Sequence, residues 1–217
     1  MIDGSLDKLP EAYELVGQIT GSKDVAEQLA SYCRTTLEEA KAKAAGIAEQ
    51  RRATVYYAEG PEGLQTEPSG SSRTRVLELV GGSNIAQMEG KQGSGGLSPV
   101  SLEQVIAWDS NVILVGSDPG GEYNVYQQIL TGSGWSGLRA VKAQQVYQIP
   151  HGPFNWFDRP ESVNRILGVK WPGNLLYPDV FPYDIRAEAT RFYKLFYHVD
   201  LTEAQLDKLL ERSCRTR

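Results

Sequence analysis

Residues 112–116 read Val-Ile-Leu-Val-Gly, an unbroken apolar run closed by a glycine. A strand of that kind is covered on both faces, the habit of parallel sheets flanked by helices. Working outward, Thr54-Val55-Tyr56-Tyr57 is β-branched and aromatic and reads as a second short strand, and Gln145–Ile149 as a third. Helical signals fall between them. Ser72 or Thr74 starts a helix that Gly81-Gly82 stops, and Ser101 with Gln104 three residues on has capping-box spacing. A helix near 121–130 and a glycine-rich turn around Trp135 precede the third strand. Glu161 opens a helix to about Leu176, with an interruption expected at Pro172. Helices at 184–197 and 202–212 close the chain. This alternation from residue 54 onward predicts an α/β fold, a mostly parallel sheet flanked by helices.

The first fifty residues have another texture. Leu6, Leu9, Ala12, Leu15 and Val16 recur at helical spacing through 5–19, and Gly21-Ser22 break the pattern. Asp24 can cap a second helix to about Glu49, with Ala26, Leu29, Ala30, Cys33, Leu37, Ala40, Ala44 and Ile47 on one broad face. Such a helix would be a rod of ~39 Å. It reads either as an ordinary surface helix or as a strut between two domains.

Composition narrows the function classes. The chain is 41% hydrophobic and 23% charged with a net charge of −5, which disfavours nucleic acid and anionic lipid as the main partner. No apolar run approaches the ~18 residues of a membrane span. Cys33 and Cys214 have no second cysteine at metal-ligand or redox spacing. His151 and His198 stand apart from any metal motif, and no nucleophile elbow, phosphate loop or dinucleotide fingerprint occurs. The glycine-rich stretches 93–96 and 132–134 read as loop flexibility. No catalytic residue and no metal ligand set is indicated.

In open α/β sheets, ligands bind beyond the carboxyl ends of the strands. Those ends lead to Tyr57 and Glu59, with Gln65 and Thr66 further along the same loop. After Ile149 they lead to His151, Phe154, Asn155, Trp156, Phe157, Asp158 and Arg159. Aromatic rings supply contact area there, while Asn, Asp and Arg orient a polar or anionic group.

Segments in fixed order carry a resemblance: Val-Tyr-Tyr-Ala-Glu-Gly (55–60), Val-Leu-Glu-Leu-Val-Gly-Gly-Ser-Asn-Ile-Ala (76–86), Val-Ser-Leu-Glu-Gln-Val (100–105), Leu-Arg-Ala-Val-Lys (138–142), Val-Tyr-Gln-Ile-Pro (146–150) and Trp-Phe-Asp-Arg-Pro (156–160). Together they resemble the C-terminal half of the periplasmic solute-binding proteins that serve ABC importers of iron-siderophores, haem, cobalamin and molybdate. The resemblance implies two Rossmann-like lobes joined by one long rigid helix, with the ligand clamped between them. On it, 1–22 is a remnant of the N-terminal lobe, 23–50 the interlobe helix and 51–217 the C-terminal lobe. It carries ligand contacts onto Glu59, the neighbourhood of Gln65 and Thr66, Leu97, Asn155, Trp156 and Arg159. Tyr57 and Asp158 join these from the strand-end reading.

The resemblance also places at Glu103 a carboxylate that docks on arginines of the membrane permease. Read alone, Glu103 is a first-turn carboxylate favoured by the helix dipole. The implied protein is periplasmic, not an enzyme, without a cofactor, and met by permease subunits and a metal complex or metal oxyanion; any membrane contact runs through the permease or a lipid anchor. The strand 112–115 follows Asp109-Ser110-Asn111, where the family usually has Asn-Pro-Asp. An enzyme on a doubly wound sheet and a pure interaction module stand as the alternatives of other classes.

Overall fold

The structure is a computed structural model that describes residues 3–88, 96–116 and 123–215. Its centre is a parallel sheet in the order β3-β1-β5-β6, formed by Ser83–Asn84 (β3), Thr54–Ala58 (β1), Val112–Val115 (β5) and Val146–Gln148 (β6). All four residues of β5 are buried, as the unbroken apolar run requires. Successive side chains of a strand point to opposite faces, and the core divides accordingly. Val55, Tyr57, Val112, Leu114 and Tyr147 enter one cluster, while Tyr56, Ala58, Ile113, Val115 and Val146 enter another.

Helices complete the two outer layers. The first cluster lies under Leu9–Thr20 (α1), Lys23–Ala45 (α2), Arg75–Leu79 (α3), Asn164–Leu176 (α7), Ile185–Tyr197 (α8) and Glu203–Leu210 (α9). The second lies under Leu102–Trp108 (α4), Val125–Thr131 (α5) and Arg139–Lys142 (α6). At the carboxyl end of β1, Gln65–Thr66 (β2) pairs antiparallel with Ser98–Pro99 (β4). The expected α/β architecture is present.

Three expectations are corrected. Helix α2 ends at Ala45, four residues short of Glu49, and starts after Ser22 rather than from an Asp24 cap. It spans ~35 Å. Its Cys33, Leu37, Ala40 and Ala44 are buried in the first core cluster, beside α7 and α3. Helix α7 runs through Pro172 without a break. An interior proline costs ~3 kcal/mol in a helix. Here that cost is offset by burial of nearly the whole helix, including Ile166, Leu167, Val169, Trp171 and Leu175. Cys33 is buried and Cys214 exposed, and both are free thiols. Burial pushes the Cys33 thiol up to about 12, which keeps it inert.

Candidate ligand-binding site at the carboxyl ends of the strands

The loop after β6 is fixed from beneath by α7. Asn164 Nδ2 donates to the carbonyls of Gly152 and Phe154 at 3.0 and 3.1 Å, and Arg165 Nε to that of Phe157 at 3.1 Å. A Cβ on Gly168 would lie 1.6 Å from the Trp156 carbonyl oxygen, so only glycine lets the loop sit this close. Within the loop, Asn155 Oδ1 accepts the backbone N–H groups of Phe157 (2.6 Å) and Asp158 (3.1 Å). These contacts hold Asp158 and Arg159 at the mouth of the sheet.

There the Arg159 guanidinium meets three carboxylates. Its Nε donates to Asp158 Oδ2 at 2.9 Å, and its Nη2 to Glu59 Oε1 at 2.9 Å and Glu67 Oε1 at 2.7 Å. The Arg159 side chain remains 35% exposed, whereas Glu59, Asp158 and Glu67 are 10%, 2% and 0% exposed. A cleft of about 400 Å³ opens beside them, walled also by Tyr57, Tyr123 and His151. Burial costs the Arg159 charge, but Glu59 and Asp158 outweigh that and raise its pKa. Burial first, then Asp158, pushes the Glu59 carboxyl up to about 8. Burial lowers the His151 pKa. Among the described residues, no group of three His, Cys, Asp or Glu side chains gathers to hold a metal ion.

Comparison with known proteins decides the family. The periplasmic binding protein family matches residues 3–152. This chain belongs to that family. An ABC transporter solute-binding protein of Sulfurospirillum deleyianum superposes with a TM-score of 0.86 at 36% identity, over 96% of this chain and 62% of that one. A periplasmic solute-binding protein of Veillonella parvula gives 0.79 at 28%, over 97% and 63%. The molybdate-binding protein MolA of Haemophilus influenzae is 28% identical over 88% of this chain and 52% of its own length. Its molybdate-bound structure superposes with a TM-score of 0.70, over 91% of this chain and 58% of that one. The chain thus spans about half to three fifths of the length of these relatives, which are binding proteins rather than enzymes.

Within this periplasmic binding protein chain, the residues marked in sequence separate into three groups. Glu59, Asp158 and Arg159 converge at the cleft, with Asn155 fixing the loop that carries two of them. Tyr57, Thr66 and Trp156 lie at 1%, 0% and 0% exposure and support the rim from inside. Tyr57 packs its ring on Phe157, centroids 5.0 Å apart. Gln65 exchanges backbone hydrogen bonds with Glu59 at 2.8 and 3.0 Å, and Leu97 is exposed beside β4. The stretch 93–96 lies outside the described residues save for Gly96.

Glu67 escaped the sequence reading. Its carboxylate takes Arg159, Arg73 (3.0 Å), the Ser71 hydroxyl (3.1 Å) and the Gly96 N–H (2.8 Å). One carboxylate before a proline carries no signal by itself; its partners come from the turn that follows it, from Gly96 ahead of β4 and from the loop after β6. Glu103 is exposed in the first turn of α4, where Ser101 Oγ caps the Gln104 N–H at 3.2 Å. The Val100 N–H donates to the Leu64 carbonyl, so α4 starts at the same end of the sheet as the cleft.

Proposed function

We propose that this chain is the C-terminal lobe, with its connecting helix, of the solute-binding component of an ABC importer working outside the cytoplasm. Its solute is an oxygen-rich, anionic metal species, either a metal oxyanion such as molybdate or a ferric chelate. The observation that carries this reading is Arg159, a partly exposed guanidinium held at the carboxyl end of a parallel sheet beside an open cleft. The kinship with MolA, whose solute is molybdate, supports the oxyanion. Leu15, Val16, Ile19 and Val25, exposed around the α1–α2 turn, support a further lobe packing there, with 1–22 its last part, 23–50 the link and 51–217 the lobe described. Glu103, exposed at the cleft end, is proposed to dock on a permease cation; an exposed pair of that kind contributes ~0–1 kcal/mol, which suits transient contact.

Thermal-shift screening of the complete protein against molybdate, tungstate, ferric siderophores, haem and cobalamin tests this. A solute at 100 times its dissociation constant stabilises the protein by ~2.7 kcal/mol. Arg159→Ala removes the shift. Silence across the panel, or a shift untouched by that substitution, overturns the reading.

A further inference from the structure

Three carboxylates share Arg159, and their hydrogen bonding is unequal. Glu67 receives two guanidinium groups, a hydroxyl and a backbone N–H. Asp158 receives Arg159 Nε and the Arg159 backbone N–H. Glu59 shares one Arg159 nitrogen through Oε1, while its Oε2 is buried and has no hydrogen-bond partner among the described residues. An ionised carboxylate offers about four acceptor positions. Two arginines, Arg159 and Arg73, serve three acids. The acid with the fewest donors is the one whose ionisation costs most, and it lines the cleft.

We propose that Glu59 is the site's hydrogen-bond donor: it carries a proton on its carboxyl group and offers it to an unprotonated oxygen of the solute. This rests on the rim cleft being the solute site and names what that site selects. An oxyanion or a hard-oxygen chelate accepts the proton's hydrogen bond from Glu59 and a charge-assisted bond from Arg159 side by side. A solute that can only donate meets two donors and is refused. Ionised Glu59 would instead place a further negative charge against an anionic solute. The site is therefore open to anions while Glu59 is neutral and closes as it ionises.

The titratable and charged groups facing Glu59 are Tyr57 from β1, Glu67 with Arg73 from the loop after β2, His151, Asp158 and Arg159 from the loop after β6, and Tyr123 across the cleft. Burial pushes Tyr57 well above its ordinary value and His151 below its own, so both titrate away from the range in which Glu59 changes charge. Arg159 and Arg73 keep their charge throughout.

The test is calorimetry of the complete protein with molybdate as the probe, from pH 6 to pH 10, beside a carboxyl-carbon NMR titration of Glu59. Wild-type affinity is expected flat at the acid end and falling by up to tenfold per pH unit above about pH 8. Glu59→Ala binds at least tenfold more weakly at pH 7. Glu59→Gln, whose amide also donates, recovers most of that loss and abolishes the pH dependence. Glu59 titrating in the ordinary carboxylate range, or Glu59→Gln binding as weakly as Glu59→Ala, overturns the inference and leaves the functional reading standing. Failure of wild type to bind molybdate, tungstate or a ferric chelate at any pH removes the reading, and the inference with it.

Discussion

Lys170 and Arg159 are both held by carboxylates, and the proportions differ. Lys170, 8% exposed, has one acid, Glu188 at 2.6 Å, and its ammonium lies over the rings of Tyr32 (4.9 Å) and Tyr183 (5.3 Å). One acid and two ring faces meet the Lys170 charge, and Lys43 and Arg191 lie over those same rings. Arg159 faces three acids with only Arg73 to help, keeps a third of its side chain in solvent and leaves a carboxylate oxygen idle. A larger groove of about 1060 Å³ lies between α2 and α8 beside Lys170, yet its most buried charge is already satisfied. The Lys170 pair is balanced, whereas Arg159 is shared among more acid than it can serve beside an open cleft, the setting in which we propose that Glu59 stays protonated and a solute is met.

The sharpest way to break that contrast is to remove one acid from each group. Glu188→Ala strands the Lys170 charge and is expected to cost about 2 kcal/mol in chemical denaturation, below the range for a fully buried pair because Glu188 keeps a fifth of its side chain exposed. Solute affinity should not change.

Glu59→Gln should act in the opposite direction. In the unfolded chain the Glu59 carboxyl ionises near 4.5, and in the folded protein near 8. Between these values unfolding releases a proton, so this group lowers stability by up to ~1.4 kcal/mol per pH unit as pH rises. The amide removes that fall. Denaturation curves at pH 5 and pH 8.5 should show the variant gaining on wild type at the higher pH; a gap that does not change with pH would erase the distinction between the two groups.

The smallest effect is expected at a third ion cluster, between the extremes. Asp7 bonds Arg75 at 2.8 and 3.3 Å and Lys41 at 2.9 Å, tying the first turn of the chain to α3 and α2. Arg75 above all holds its pKa down at about 2. The contribution is complete above about pH 4 and lost as pH falls through 2. Asp7 is a third exposed, so screening reduces it, and Asp7→Asn should cost about 1 kcal/mol at pH 7 and nothing at pH 1.5.

The sequence disclosed the frame more fully than the site. Runs such as 54–57 and 112–115 declare buried strands by composition, and Ser101 with Gln104 declares a cap, because those signals are local. The two-residue strands Gln65–Thr66, Ser83–Asn84 and Ser98–Pro99 have no pattern of their own and exist only through their neighbours. Pro172 misled for the same reason: its local cost is real, but the burial that offsets it comes from distant segments. At the site, strand ends pointed to Glu59, Asp158 and Arg159, yet gave no way to tell Trp156, sealed inside, from Arg159, open to the cleft. Glu67 was silent because what matters about it is its four donors, which are spread from Ser71 to Arg159.

A crystal structure of the complete protein grown with molybdate, or with the chelate that gives the largest thermal shift, tests the central claim most directly. The account predicts solute oxygens within hydrogen-bond distance of Arg159 and of the Glu59 carboxyl group, in the cleft beside Tyr123 and His151. Solute seated in the groove between α2 and α8, with the Arg159 cluster unchanged, would contradict it.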